Sequence, residues 1–215
     1  MKSMPEFAAF PAGAGPSGSW YLVSTRTEDA AAAEAAFTRH GGPGTRTRFT
    51  ARGGYALVPA ESGRDGLQLC HTLHARLAGP AWMSVGRCVG EELPETRRRV
   101  DDVLKLVVAL TFSPGVYQPD DFPVEYAAAR TPAVARPLRR LIGPVMTKPL
   151  LAETLAALIA EDGNRTRAAE HLGIHRSTID YRLGQIEKLT GHSPLSARGL
   201  ALLGAAAAAH ILSEN

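Results

Sequence analysis

The stretch NRTRAAEHLGIHRSTIDYRLGQIEKLTG, residues 164–191, decides how the C-terminal part of this chain is read. Asn164 is a good helix N-cap, because its side-chain oxygen can accept from the backbone N–H groups of a first turn. The helix it opens carries Ala168, Ala169 and Leu172 and stops at Gly173, where a tight turn asks for a positive φ. Ile174 then plugs the core, and His175 or Ser177 caps the following helix. The apolar face of that helix is Ile179, Leu183, Ile186 and Leu189, and Thr190-Gly191 ends it. Two helices crossing at about 90–120° through a turn of about 3–4 residues need a small residue at the crossing and often glycine in the turn. Ala169 and Gly173 meet those needs. The spacing predicts a helix-turn-helix whose second helix, about 175–189, keeps one face free to enter a DNA major groove.

That free face carries Arg176, Ser177, Asp180, Tyr181 and Arg182. Arginine can bond guanine bidentately, and serine or threonine can bond bases or phosphates. Residues 164–182 hold four arginines against Glu170 and Asp180, so the local balance is positive. Helix starts at Asn164 and His175 add backbone N–H donors for phosphate. Charge at larger scale does not decide the matter: the chain carries +3, with a pI near 9.1. Residues 148–215 hold seven Lys/Arg and seven Asp/Glu. The case for DNA rests on where the charges sit, and a helical hairpin that only packs against a partner has the same spacing.

Upstream, a helix over 150–161 can end in a left-handed cap at Gly163. Pro132, Pro137 and Pro144 punctuate a basic segment with Arg136, Arg139 and Arg140, which reads as a partly helical connector over 131–149. Downstream, the alanines of 205–209 favour helix and packing within the chain. The N-terminal half reads differently. Residues 19–27 suggest a strand and 28–40 a helix, and TRTRFTAR and YALVPA suggest a hairpin joined around Gly53-Gly54. A helix over 63–78 shows Leu67, Cys70, Leu73 and Leu77, and a strand follows at 82–89. Pro94 starts a helix whose Val100, Val103, Leu104, Val107 and Val108 share one face, and a short strand lies near 115–118. The expected fold is α+β: residues 1–18 a flexible lead-in, 19–130 an α/β sandwich with an antiparallel sheet, and 150–215 an all-helical domain.

Residues 150–191, LLAETLAALIAEDGNRTRAAEHLGIHRSTIDYRLGQIEKLTG, resemble the C-terminal helix-turn-helix of PucR/CdaR-type transcriptional regulators, and their core is similar to the Fis-type motif. The resemblance implies that Asn164, Thr166 and Arg167 lie near the DNA backbone; Arg165, one of the four arginines, is counted with them as a DNA-binding candidate. It implies that His175, Arg176, Thr178, Tyr181 and Arg182 belong to the recognition helix, to which the free face adds Ser177. This chain departs from the family pattern at Asp180 and Gly184, where basic residues are usual. RTRFTARGGYALVPA also resembles the central hairpin of a degenerate GGDEF-like domain, a common companion of this motif. A cyclase would need an Asp-Glu pair straight after the glycines to hold metal, and Tyr55-Ala56 stand there instead. Family members commonly carry a sensor domain upstream, for which residues 1–18 are too short; the input then reaches the GGDEF-like domain as a small-molecule effector or arrives through a partner protein.

Hydrophobic residues make up 45% of the 215, which excludes a disordered chain. No apolar run reaches the roughly 20 residues that span a bilayer. Prolines break any signal-like segment, so a cytoplasmic address is expected, with no membrane partner. Cys70 and Cys88 read as buried thiols. Cys70, His71 and His74 fall within a turn of helix but lack a fourth ligand at recognisable spacing. Arg97, Arg98 and Arg99 read as a solvated helix face. No catalytic group, metal or cofactor is expected, and the reading is of a non-enzyme: a homodimeric regulator of double-stranded DNA. Two rivals remain on the sequence, a ligand-binding or protein-interaction module whose motif no longer binds DNA, and a nucleotide-processing enzyme on the GGDEF-like fold.

Overall fold

The computed structural model describes residues 18–60, 65–89 and 92–213, so the lead-in expected over 1–18 lies outside them but for Gly18. The chain divides into two compact units, one through Val100 and one from Asp101. The first unit contains β1 (Ser19–Thr27), α1 (Ala30–His40), β2 (Arg46–Thr50), β3 (Gly53–Pro59), α2 (Gly66–His74) and β4 (Ala81–Val89). α3 (Leu93–Ala109) starts in this unit and runs past the division. Within the unit the strands lie in the order β2-β3-β1-β4, all neighbours antiparallel. The central β1 pairs Leu22 with Leu57 and Val23 with Ala56 on one side, and Val23 with Val85 on the other.

Successive strand residues point to opposite faces, so each face has its own cover. Leu22, Tyr55, Leu57 and Cys88 cluster with Val100, and Trp20 and Leu93 pack against them. The opposite face meets α1 and α2: the Phe37 ring lies 6.2 Å from Phe49, and a Cβ on Gly66 would fall 2.2 Å from the Tyr21 ring. Asp29 caps α1 by accepting from the Ala32 N–H, and Asp65 caps α2 by accepting from the Leu67 N–H. That cap places the start of α2 at Gly66; residues 63 and 64, where the sequence suggested the helix would begin, are not among the described residues.

The hairpin is present, but its turn is Ala51-Arg52 and not Gly53-Gly54. Both glycines belong to β3, where Gly53 opposes Thr50 and Gly54 opposes Phe49. They are needed for close approach: a Cβ on Gly53 would sit 2.0 Å from the Thr25 carbonyl oxygen, and one on Gly54 2.2 Å from that of Arg48.

The second unit holds the rest of α3, a short β5 (Gly115–Tyr117) and a 3-10 turn at Pro119–Asp121. Then come α4 (Pro123–Arg130), α5 (Pro132–Met146), α6 (Pro149–Ala160), α7 (Arg165–His171), α8 (Arg176–Thr190) and α9 (Ala197–Ile211). Pro123, Pro132 and Pro149 each open a helix, where the missing N–H costs nothing. The segment expected as a connector is therefore mostly α5, continuous through Pro137 and Pro144. Its Ala135, Leu138, Ile142 and Val145 share one core with Leu151, Leu155 and Leu158 of α6 and Leu203 and Ala206 of α9. The basic, proline-rich composition marks its solvent side and its ends. Ala205 through Ala209 are all buried, and α4 and α5 pack on α9, where methyl side chains allow close approach.

The pattern read on α3 is only part of its buried surface. Val100, Val103, Leu104 and Val107 are buried and Val108 is half-buried. Leu106 and Leu110 are buried on another side, against Ala156, Ala207, Ala208, Ile211 and Leu212. Asp102 is also buried; its carboxylate accepts from Arg130 of α4, with Nε at 3.0 Å. Among the described residues no single helix is long and apolar enough to cross a membrane. The bent pair α5–α6 has membrane-like composition but contributes its apolar residues to this core.

Candidate nucleic-acid interface

α6, α7 and α8 are built by local signals that hold in the structure. Gly163 takes φ +77° after α6. The Asn164 side chain accepts from the N–H of Thr166 at 3.1 Å and of Arg167 at 3.2 Å, and so starts α7. Gly173 takes φ +62° in the turn. The Ile174 N–H then donates to Ala169, closing the turn over the small residue at the crossing. His175 and not Ser177 caps α8: its Nδ1 accepts from the Ser177 N–H at 3.2 Å and lies 2.8 Å from the Ser177 hydroxyl. Gly191 ends α8 at φ +73°.

Ile179, Leu183 and Ile186 hold α8 in the core with Ala168 and Ala169 of α7. Leu189, expected on that face, is 38% exposed, and Thr190 is buried in its place. Burial there is tolerable because the threonine hydroxyl donates to the Ile186 carbonyl at 2.8 Å.

The remaining face of the motif is polar and open. Arg165 is half-buried, while Thr166, Arg167, His175, Arg176 and Ser177 are exposed and Thr178 is half-buried. Tyr181 stands out at 68% exposed, an aromatic ring on the solvent side of α8. The structure thus brings nine of the ten expected residues to the outer side of the two helix starts and the first turns of α8. The tenth, Arg182, turns back: it is half-buried and its Nη1 donates to the Thr154 hydroxyl of α6 at 3.3 Å.

The cations of this face are partnered. Asp180 lies 3.2 Å from Arg165 and 3.9 Å from Arg176. Glu161 lies 3.4 Å from Arg167 and 3.2 Å from His171. These groups are partly exposed, so the pairs are weak and can exchange for phosphate. The first-turn N–H groups of Thr166, Arg167 and Ser177 are likewise taken by Asn164 and His175, so the helix starts offer fewer donors than a bare terminus. Thr154 and Glu161 went unread in the sequence, since nothing local marks a contact between helices. The Arg176–Asp180 pair had a readable signal in its i,i+4 spacing.

Elsewhere the other candidates take structural places. Cys70 is fully buried, and burial, then the charge of Asp65, pushes its thiol up to about 12. A ring nitrogen of His74 meets the Ala81 carbonyl at 3.0 Å. Among the described residues no group of His, Cys, Asp and Glu could hold a metal ion. Arg97 lies over the Tyr55 ring, 5.3 Å from its centroid, and Arg98 pairs with Glu95.

Comparison with known proteins agrees with this geometry at the C-terminus. The chain is 40% identical over 67 residues to the transcriptional activator PmfR of Paenarthrobacter nicotinovorans, a match covering 31% of this chain and 14% of that protein. The chain therefore matches only about a seventh of that relative's length. A crystal structure of a regulator of polyketide synthase expression from Bifidobacterium adolescentis aligns over 92% of this chain and 82% of its own. Its identity is 17% and its TM-score 0.42, a likeness too low to bear on the fold. Residues 151–209, from α6 through most of α9, match the PucR C-terminal helix-turn-helix domain.

Proposed function

We propose that this chain is a sequence-specific, DNA-binding transcriptional regulator of the PucR/CdaR type, acting as a homodimer. The observation that carries the reading is the α7–turn–α8 motif, whose outer side displays Arg165, Thr166, Arg167, Arg176, Ser177 and Tyr181 around two capped helix starts. In this reading α8 enters the major groove. Arg176, 63% exposed and at the first position of α8, reads a base edge. Arg165, Thr166 and Arg167 meet the backbone, with Asn164 and His175 as the caps that orient them. Thr178 and Tyr181 extend the contact along the helix, and Arg182 steadies α8 through Thr154. The domain over about 19–130 is a GGDEF-like module without a cyclase centre, serving dimerisation or sensing; Tyr55 and Ala56, where the carboxylates would stand, are both buried.

Arg176→Ala tests the reading. Specific binding should weaken by roughly 1–3 kcal/mol, with relaxed preference at one base position. Unchanged affinity and preference would remove Arg176 from the interface. The partnering of the motif's arginines favours a second reading, an interaction module that has lost DNA binding. Salt separates the two: phosphate contacts weaken steeply as salt rises, and an apolar protein contact does not.

A further inference from the structure

We infer that the outer face of α5, carrying Arg136, Arg139 and Arg140, is a second DNA-backbone contact beside the helix-turn-helix. The inference rests on the DNA-binding reading above and extends it to a helix outside the motif.

Within the motif, Arg165 and Arg176 share Asp180, Arg167 has Glu161, and Arg182 is held by Thr154. α5 is the reverse case. From Thr131 to Thr147 the chain carries three arginines and no acidic residue. None of the three forms an ion pair or hydrogen bond among the described residues. Positions 136, 139 and 140 are spaced i, i+3, i+4 and so share one face. The opposite face, Ala135, Leu138, Ile142 and Val145, is in the core. Arg136 and Arg140 are exposed and Arg139 is half-buried.

α5 packs directly on α6 and α8, so its arginines belong to the body that carries the proposed reading head. The acidic residues on the helices packed around it are Glu125 on α4, Glu153 on α6, and Asp180 and Glu187 on α8. α9 has none. None of these pairs with the three arginines, although Asp180 pairs elsewhere. A cluster of unpaired guanidinium groups fits a row of phosphates, each of which can accept two parallel N–H bonds. Residues 148–215 are neutral overall, so the three unpaired cations of α5 would add to the backbone attraction of the motif.

The experiment is a salt titration of the full chain on its best genomic fragment, comparing wild type with R136Q/R140Q and R136K/R140K. Each phosphate contact contributes about 0.9 to the log–log salt slope. The glutamine variant should therefore show a slope shallower by about two units per bound chain, with its preference for target over random DNA unchanged. The lysine variant keeps the charges and should keep the slope, which separates charge from any loss of folding. An unchanged slope in the glutamine variant overturns the inference. So does loss of binding to phosphatidylserine vesicles with DNA binding intact, which would make the face a membrane contact. Wild type that binds no fragment fails the functional reading as well as this one. Wild type that binds, with a glutamine variant that binds equally, fails this one alone.

Discussion

The Asp180 carboxylate bridges Arg165 at the start of α7 and Arg176 at the start of α8, at 3.2 Å and 3.9 Å. One anion thus holds the two cations that flank the turn and partly cancels the charge a phosphate would meet. All three side chains are at least 39% exposed, so the pairs add little to stability, about 0–1 kcal/mol. Asp180→Asn should leave the melting temperature nearly unchanged while binding to random DNA tightens severalfold and its salt slope steepens by about one to two units. Tighter non-specific binding with a smaller target preference would show that Asp180 trades affinity for discrimination. Weaker binding to random DNA would refute the bridge as a neutralising contact.

Two glycines of the motif should respond to alanine with opposite signs. Gly173 has φ +62°, a conformation that costs an L-residue roughly 1–2 kcal/mol, although a Cβ there would meet nothing within 4 Å. Gly184 lies inside α8 with helical φ, and a Cβ there would meet nothing within 4 Å. Gly173→Ala should lower the unfolding free energy by about 1–2 kcal/mol. Gly184→Ala should raise it by about 0.5–1 kcal/mol. Denaturant titrations of both variants check the pair, and equal shifts would contradict the backbone assignment.

Arg182 and Arg176 should separate into a packing role and a reading role. Arg182 donates to Thr154, whose hydroxyl itself donates to the Leu150 carbonyl at 2.6 Å. Thr154 is fully buried, so removing Arg182 strips a partner from an enclosed oxygen. Arg182→Ala should cost about 1 kcal/mol of stability, whereas Arg176→Ala should cost almost none and lose base preference instead. Thermal melts and binding-site selection on the two variants measure this. A base-preference change in Arg182→Ala without loss of stability would reverse the roles.

The two thiols should be silent in the folded protein. Burial, reinforced by Asp65, pushes the Cys70 thiol up to about 12; burial, reinforced by Glu92, pushes Cys88 up to about 11. In the unfolded chain both ionise near the ordinary thiol value of 9.0. The unfolded state therefore releases protons first as pH rises. The stability tied to these groups is fully present below about 9 and is lost as pH climbs from there through the folded values. A thiol reagent at pH 8 should label neither cysteine until denaturant is added, and the denaturation midpoint should fall between pH 8 and pH 10.5. Equal labelling of native and unfolded protein would contradict the burial.

Much of the motif was legible because it is built from local physics. Asn164, Gly173, His175 and Gly191 act through their own φ or through bonds to neighbours two or three residues away. Ile179, Leu183 and Ile186 follow from the helical period, but Leu189 against Thr190 did not. Both fit a step of three or four from Ile186, and the choice went to the polar residue able to bond its own backbone. The hairpin was readable and its turn was not, because glycine serves equally for a turn and for close approach. Pro132, Pro137 and Pro144 suggested a broken connector, yet the core contacts of Leu138, Ile142 and Val145 override two internal prolines. The partners of Arg167 and Arg182 come from the C-cap of α6 and from α6 itself, which no spacing rule links to them.

The most direct measurement of the central claim is selection of genomic fragments on the purified chain, followed by footprinting and salt titration of the best one. A dimeric regulator of this kind should give a discrete footprint with inverted-repeat symmetry and an affinity that falls steeply as salt rises. No enrichment over random DNA, or binding indifferent to salt, would contradict it.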